Sequence, residues 1–161
     1  MKHALAILIG LLLCLAVSAP LAQEDAKPWF DLEKCAFCKQ LLSEEGLIDH
    51  MHPAYHNLKS GVLWITVVDP EYRDAFKRAG AKMEEVGAEM QKTGEVPYMC
   101  GFCSAYGELM MAGAVPECVE TEVAEICLMQ SDKPELVERL HAFAARSSEE
   151  MAKLKAAESA E

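Results

Sequence analysis

The feature that most constrains this chain is a four-residue pattern written twice: "CAFC" at residues 35–38 and "CGFC" at residues 100–103. Setting residues 35–85 above residues 100–150 aligns the paired cysteines. After a slip of one residue, "VLWIT" falls on "ICLMQ" and "DPEYRDAF" on "KPELVERL". The expectation is an internal duplication, with units spanning about 31–93 and 96–155.

Each unit reads as helix, hairpin, helix. The first begins with a helix carrying Cys-x-x-Cys over "DLEKCAFCKQLLSEEGLIDHM", with Asp31 as its N-cap, and the second over "VPYMCGFCSAYGELMMAG", with Pro97 near its start. "YHNLK" and "VLWITVV" then form strands around a Ser60-Gly61 turn, and "CVETEV" and "ICLMQ" around an Ala124-Glu125 turn. Asp69-Pro70 opens a long helix with an apolar stripe through Ala75, Phe76, Ala79 and Met83, stopped at Thr93-Gly94. Pro134 opens its counterpart, with Leu136, Leu140 and Phe143 on the stripe and a frayed "KLKAAESAE" end. The fold class expected is α+β: two tandem α-β-β-α units whose hairpins join into a pseudo-twofold, four-stranded antiparallel sheet packed with helices. Both parities of "VLWITVV" are apolar, so this strand is expected to be covered on both faces or buried at the junction between the halves.

The amino-terminal stretch is not part of that pattern. Lys2 precedes an apolar run from Ala4 to Val17 and a small-residue exit ending at Ala22, which is the anatomy of a secretory signal over residues 1–22. The run is short for a membrane span, with an uncleaved anchor as the alternative. Cys14 goes with the signal. The expectation is an exported protein, periplasmic or secreted, with residues 23–161 forming one domain. Removing the leader takes one lysine and moves the formal net charge from −11 to −12. That surface repels phosphate backbones and anionic lipid, so neither nucleic acid nor membrane beyond the leader is an expected partner. A protein partner is not specified.

Six cysteines remain, and export with an even count argues for disulfides. The doubled motif argues otherwise. In mid-helix, cysteines one turn apart have Cβ atoms about 5–6 Å apart, whereas a disulfide needs about 3.5–4.5 Å. A bridge inside one motif gains only about 2 kcal/mol by chain entropy. One between the motifs would close about 66 residues and gain about 4 kcal/mol. Local bridges are therefore poor staples. Three readings stand: Cys35, Cys38, Cys100 and Cys103 share a thiophilic metal, Zn²⁺ or Cu(I); the cysteines are structural disulfides in an interaction domain without catalysis; or a motif at a helix start exchanges disulfides. Cys118 and Cys127 occur only in the second unit. An ideal two-residue turn places them too far apart to bond, so they form a disulfide across a longer loop or remain as buried thiols.

"DHMHPAYH" gathers His50, His52 and His56 between the first helix and hairpin, a secondary metal candidate or a solvated loop. Phe37 and Phe102 read as packing anchors, Trp29 and Trp64 as core, and acidic pairs such as Glu44-Glu45 as solvated helix faces. No nucleophile elbow, phosphate loop or zinc-protease helix is present, so an enzyme would have to be a thiol–disulfide oxidoreductase.

Overall fold

The computed structural model describes residues 27–158; the leader expected over residues 1–22 lies outside them. No helix among the described residues is long and apolar enough to cross a membrane. The α+β expectation holds: four antiparallel strands, β1 (Met51–Leu58), β2 (Gly61–Val68), β3 (Val115–Glu120) and β4 (Ala124–Gln130), form one sheet in the order β1-β2-β4-β3. Two hairpins therefore meet along their second strands, with Trp64 opposite Cys127 and Ile65 opposite Ile126 at the join.

Among the described residues four α-helices accompany the sheet: α1 (Lys39–Leu42), α2 (Arg73–Thr93), α3 (Gly101–Met111) and α4 (Pro134–Glu158). The α4 helix packs on β1, β2 and β4 and against α3. Its residues Leu136, Leu140 and Phe143 join Trp29, Val62 and Met129 in the main core. The α2 helix sits with α1 at one end of the sheet, where Ala75 and Ala79 pack on Leu47 and Val68. Gly94 closes α2 in the left-handed region, at φ 73°, where a glycine costs least.

Local details differ from expectation where side chains found other partners. The first long helix does not form. Asp31 accepts the Lys34 amide at 2.8 Å, but it caps a single turn, and α1 begins only after Cys38. Gly46, at φ 74°, then diverts the chain and packs against the Tyr72 ring. The second motif's helix starts at Gly101, not near Pro97, with Cys100 at its N-cap. Asp69 does not cap α2, because His50 and His52 take its carboxylate. Gly61 is the first residue of β2 and not a turn residue; a Cβ there would run into the Met129 carbonyl. The carboxy-terminal helix continues through Glu158, past the point where it was expected to fray.

The second hairpin turns about two residues earlier than expected, over residues 121–123, which shifts the partner of Cys127 from Glu122 to Cys118. Glu120 pairs with Glu125, and Thr121 organises the loop, its Oγ1 accepting the Ala124 amide at 2.9 Å. This longer loop sets Cys118 opposite Cys127, and the two are joined in a disulfide with Cα atoms 4.1 Å apart.

One face of the sheet is covered and one is not. Val62, Trp64, Thr66 and Val68 point toward the helices. The opposite parity, Leu63, Ile65 and Val67, has no helix over it among the described residues, and Val67 is 41% exposed. The strand does lie at the junction, paired with β4 where the two hairpins meet, but no helix among the described residues covers its second face.

Candidate metal centre

The two cysteine motifs are built alike on different supports. In the first, the Cys35 carbonyl accepts the Lys39 amide at 3.0 Å as the chain enters α1. In the second, the Cys100 carbonyl accepts the Ser104 amide at 3.0 Å as the chain enters α3. Each motif thus turns one helical step around its first cysteine, which aims both sulfurs to the same side.

Four contacts between the segments bring the motifs together. Gly101 and Phe102, with amides unused at the start of α3, donate to the carbonyls of Pro28 and Trp29 at 2.9 and 2.8 Å. Ala36 donates to the Tyr98 carbonyl at 2.9 Å, and the Tyr98 hydroxyl donates to Asp31 at 3.0 Å. Two stretches some 65 residues apart therefore cross as a laced pair. Sequence reasoning did not identify Asp31 and Tyr98 as braces. The signal available was the Gly101-for-Ala36 difference: a Cβ at Gly101 would lie 3.2 Å from Trp29 Cα and 3.3 Å from the Pro28 oxygen.

The sulfurs converge. All four Sγ atoms lie within 4.8 Å of one another, with Cys38 at 3.6 Å from Cys100 and 3.5 Å from Cys103. Four sulfurs at about 2.3 Å from one zinc ion would stand about 3.8 Å apart, so the cluster has the span of a single tetrahedral ion. Ligands of a multi-iron cluster sit on different metal atoms and would spread further. Cys35 and Cys100 are fully buried, Cys38 nearly so, and Cys103 is the partly exposed member. Leu32, Phe37 and Phe102 close the apolar shell.

Electrostatics in this shell are set by sulfurs that hydrogen-bond to one another. The Cys38 thiol is pushed far up, first by its hydrogen bond to Cys100, then by that to Cys103 and by burial. Cys103 is also pushed up, first by its bond to Cys100. Cys100 goes the other way, held well down because Cys103 and Cys38 both donate to its sulfur, with help from the backbone amides of Cys103 and Asp31. One thiolate is favoured there, and further deprotonation is opposed. Four thiolates require a cation among them.

The histidines are arranged differently. His50 Nδ1 lies 2.7 Å from Asp69 Oδ2 and its ring stacks on Tyr72 at 3.9 Å. His52 Nε2 lies 3.4 Å from the other Asp69 oxygen, and His56 is four residues further along β1. Among the described residues, the cysteine quartet is the group whose ligand atoms converge. Glu44, expected on a solvated face, is instead clamped by Arg78 at 2.6 Å and Lys82 at 2.7 Å, which tie the turn after α1 to α2.

Comparison with protein-family models, with curated proteins and with solved structures finds no match to this chain.

Proposed function

We propose that Cys35, Cys38, Cys100 and Cys103 hold one tetrahedral Zn²⁺ ion in an exported protein, and that the ion clasps the amino-terminal segment to α3. The observation that carries this reading is the convergence of four sulfurs within 4.8 Å inside an apolar shell. Amide donors aimed at the Cys100 sulfur support it, because they stabilise thiolate over thiol. Four-thiolate tetrahedral geometry favours zinc over Cu(I). A closed shell of four protein ligands is the structural type of zinc site, with no position open to substrate.

Thiol exchange is the weaker alternative. The attacking sulfur in such a motif is its first cysteine, and Cys35 and Cys100 are both 0% exposed. Export is supported by the Lys2 head with its apolar run and by a disulfide at Cys118–Cys127, the bond an oxidising compartment sustains. A metal-loaded quartet would survive there because its thiolates are occupied. Descent from a duplicated unit is part of this reading: each half places a Cys-x-Phe-Cys turn, a hairpin and a long helix in the same order.

Metal analysis and thiol counting on protein isolated without reductant test the proposal. One zinc per chain is expected, with four thiols that react only after chelation or unfolding. Cobalt substitution should give the thiolate charge-transfer and ligand-field bands of a tetrahedral four-sulfur site. Metal-free protein with no reactive thiols after unfolding would overturn it in favour of two further disulfides.

A further inference from the structure

The uncovered sheet face is a grid of four strands whose register is known. Its rows read Ala54, Ile65, Ile126, Val119, and next to it His56, Leu63, Leu128, Glu117. The flanking rows carry Leu58 and Val115 at one end and His52 and Val67 at the other. In a chain with 25% charged residues, Glu117 is the only Asp, Glu, Lys or Arg at a strand position of this face among the described residues. Leu58, Val67, Val115 and Val119 are between 38% and 58% exposed. Both parities of β2 carry core-type residues, but among the described residues helices cover only one of them.

From this grid we infer that the open face is a homodimer interface in which two copies stack sheet on sheet. The twofold axis runs parallel to the strands, between β2 and β4. The choice of axis follows from the rows. An axis along the strands reverses each row upon itself, so His56 meets the partner's Glu117, Leu63 meets Leu128, and Ala54 meets Val119. An axis across the strands would instead set Glu117 against Val119 and leave the carboxylate without a polar partner. The first arrangement places two symmetric His–Glu contacts at the rims of an apolar centre, and aligned sheets pack in this way.

Edge-to-edge pairing is disfavoured. Both outer strands contain a proline inside their ladders, Pro53 opposite Thr66 and Pro116 opposite Met129. With no N–H to donate, each proline faces its nitrogen outward and removes a donor from the free edge. Strand spacing and rise give the face about 19 by 23 Å, or roughly 440 Å² in projection per copy. Both copies together cover about 880 Å² in projection, below the roughly 1,200 Å² at which stable interfaces begin, so the dimer is weak, reversible and concentration-dependent.

Analytical ultracentrifugation of the full chain as isolated, over about a hundredfold range of concentration, tests this. The wild type should pass from monomer to dimer, and Leu63→Glu should stay monomeric. Glu117→Lys should weaken the dimer several-fold, as should His56→Glu, while the double variant recovers toward wild type because Lys then faces Glu across the axis. His56 and Glu117 are exposed, so these variants decide the matter even if far-ultraviolet dichroism shows Leu63→Glu unfolded. A wild type that remains monomeric throughout overturns the inference, whether another protein or residues before Lys27 cover the face. A double variant no better than Glu117→Lys overturns it as well.

Discussion

Trp29 Nε1 donates to Ser147 Oγ at 3.3 Å, joining the segment that carries the first cysteine motif to the middle of α4 across 118 residues. Ser147 passes its own hydrogen to the Phe143 carbonyl at 2.7 Å and is fully buried. The indole is held on its other side by Phe102, edge-on at 6.1 Å, and by the Arg146 guanidinium 4.2 Å from the ring centre. The cysteine quartet and the main core therefore share a wall.

Ser147→Ala should leave the buried indole N–H without an acceptor and cost about 1–3 kcal/mol. In urea titrations the midpoint should fall with an unchanged slope. A change below a few tenths of a kcal/mol would mean the indole had found another acceptor.

The two motifs should not tolerate exchange equally. Gly101→Ala pushes a methyl into the Trp29 and Pro28 backbone, which cannot retreat because Gly101 and Phe102 hydrogen-bond to it. A cost of about 1–3 kcal/mol and weaker metal retention are expected. The reciprocal Ala36→Gly should cost less than about 1 kcal/mol, as read by the same denaturation and by competition with a chelator.

Removing the disulfide with Cys118→Ala and Cys127→Ala reopens a loop with a sequence separation of 9 and should cost about 2.5 kcal/mol. Bound metal should be unchanged, because the hairpin contributes no ligand to the quartet. Loss of metal in this double variant would show that the cysteines act as one redox unit.

Acid should drain stability from two carboxylates. Hydrogen bonds from Arg78 and then Lys82 hold Glu44 below its usual 4.5, and His50 above all holds Asp69 below its usual 3.8. A carboxylate lowered on folding stabilises fully above its unfolded value, and that stabilisation is lost as pH falls through the folded one. Unfolding free energy measured from pH 7 to pH 3 should decline below about pH 4.5, and Glu44→Gln should be less stable at pH 7 with a shallower acid decline.

Glu125 should show the opposite sign. Burial, and then the Glu120 charge, raise its carboxyl above the usual value, with Arg73 only partly compensating. A group raised on folding favours the folded state most below its unfolded value, and that benefit fades as pH rises through the folded one. Glu125→Gln should therefore raise the melting temperature at pH 7 and leave it nearly unchanged at pH 3.

How much was legible depends on the range over which each interaction acts. The starts at Pro134 and near Pro70, the stop at Gly94, the strand-forming "VLWITVV" and the α+β class all follow from neighbouring residues, and they appear in the structure. Helices that failed to form, or began late, lie where distant partners compete. Cys35 and Cys38 are drawn toward α3, and Asp69 is taken by two histidines before it can cap. That the four cysteines come together was one of three readings of the sequence, and their convergence bears it out; the contacts that hold them there were not legible.

By itself, the sequence determined the chemistry available: two cysteine pairs with equal spacing, one extra pair in the second half, and a strand apolar on both sides. Only the tertiary structure decided that the two pairs meet, that Cys118 faces Cys127, and that the described helices all lie on one face of the sheet. Spacing along the chain sets which atoms can be neighbours within a turn or a hairpin. The convergence of residues 65 apart depends instead on hydrogen bonds and packing between segments that have no local preference for one another.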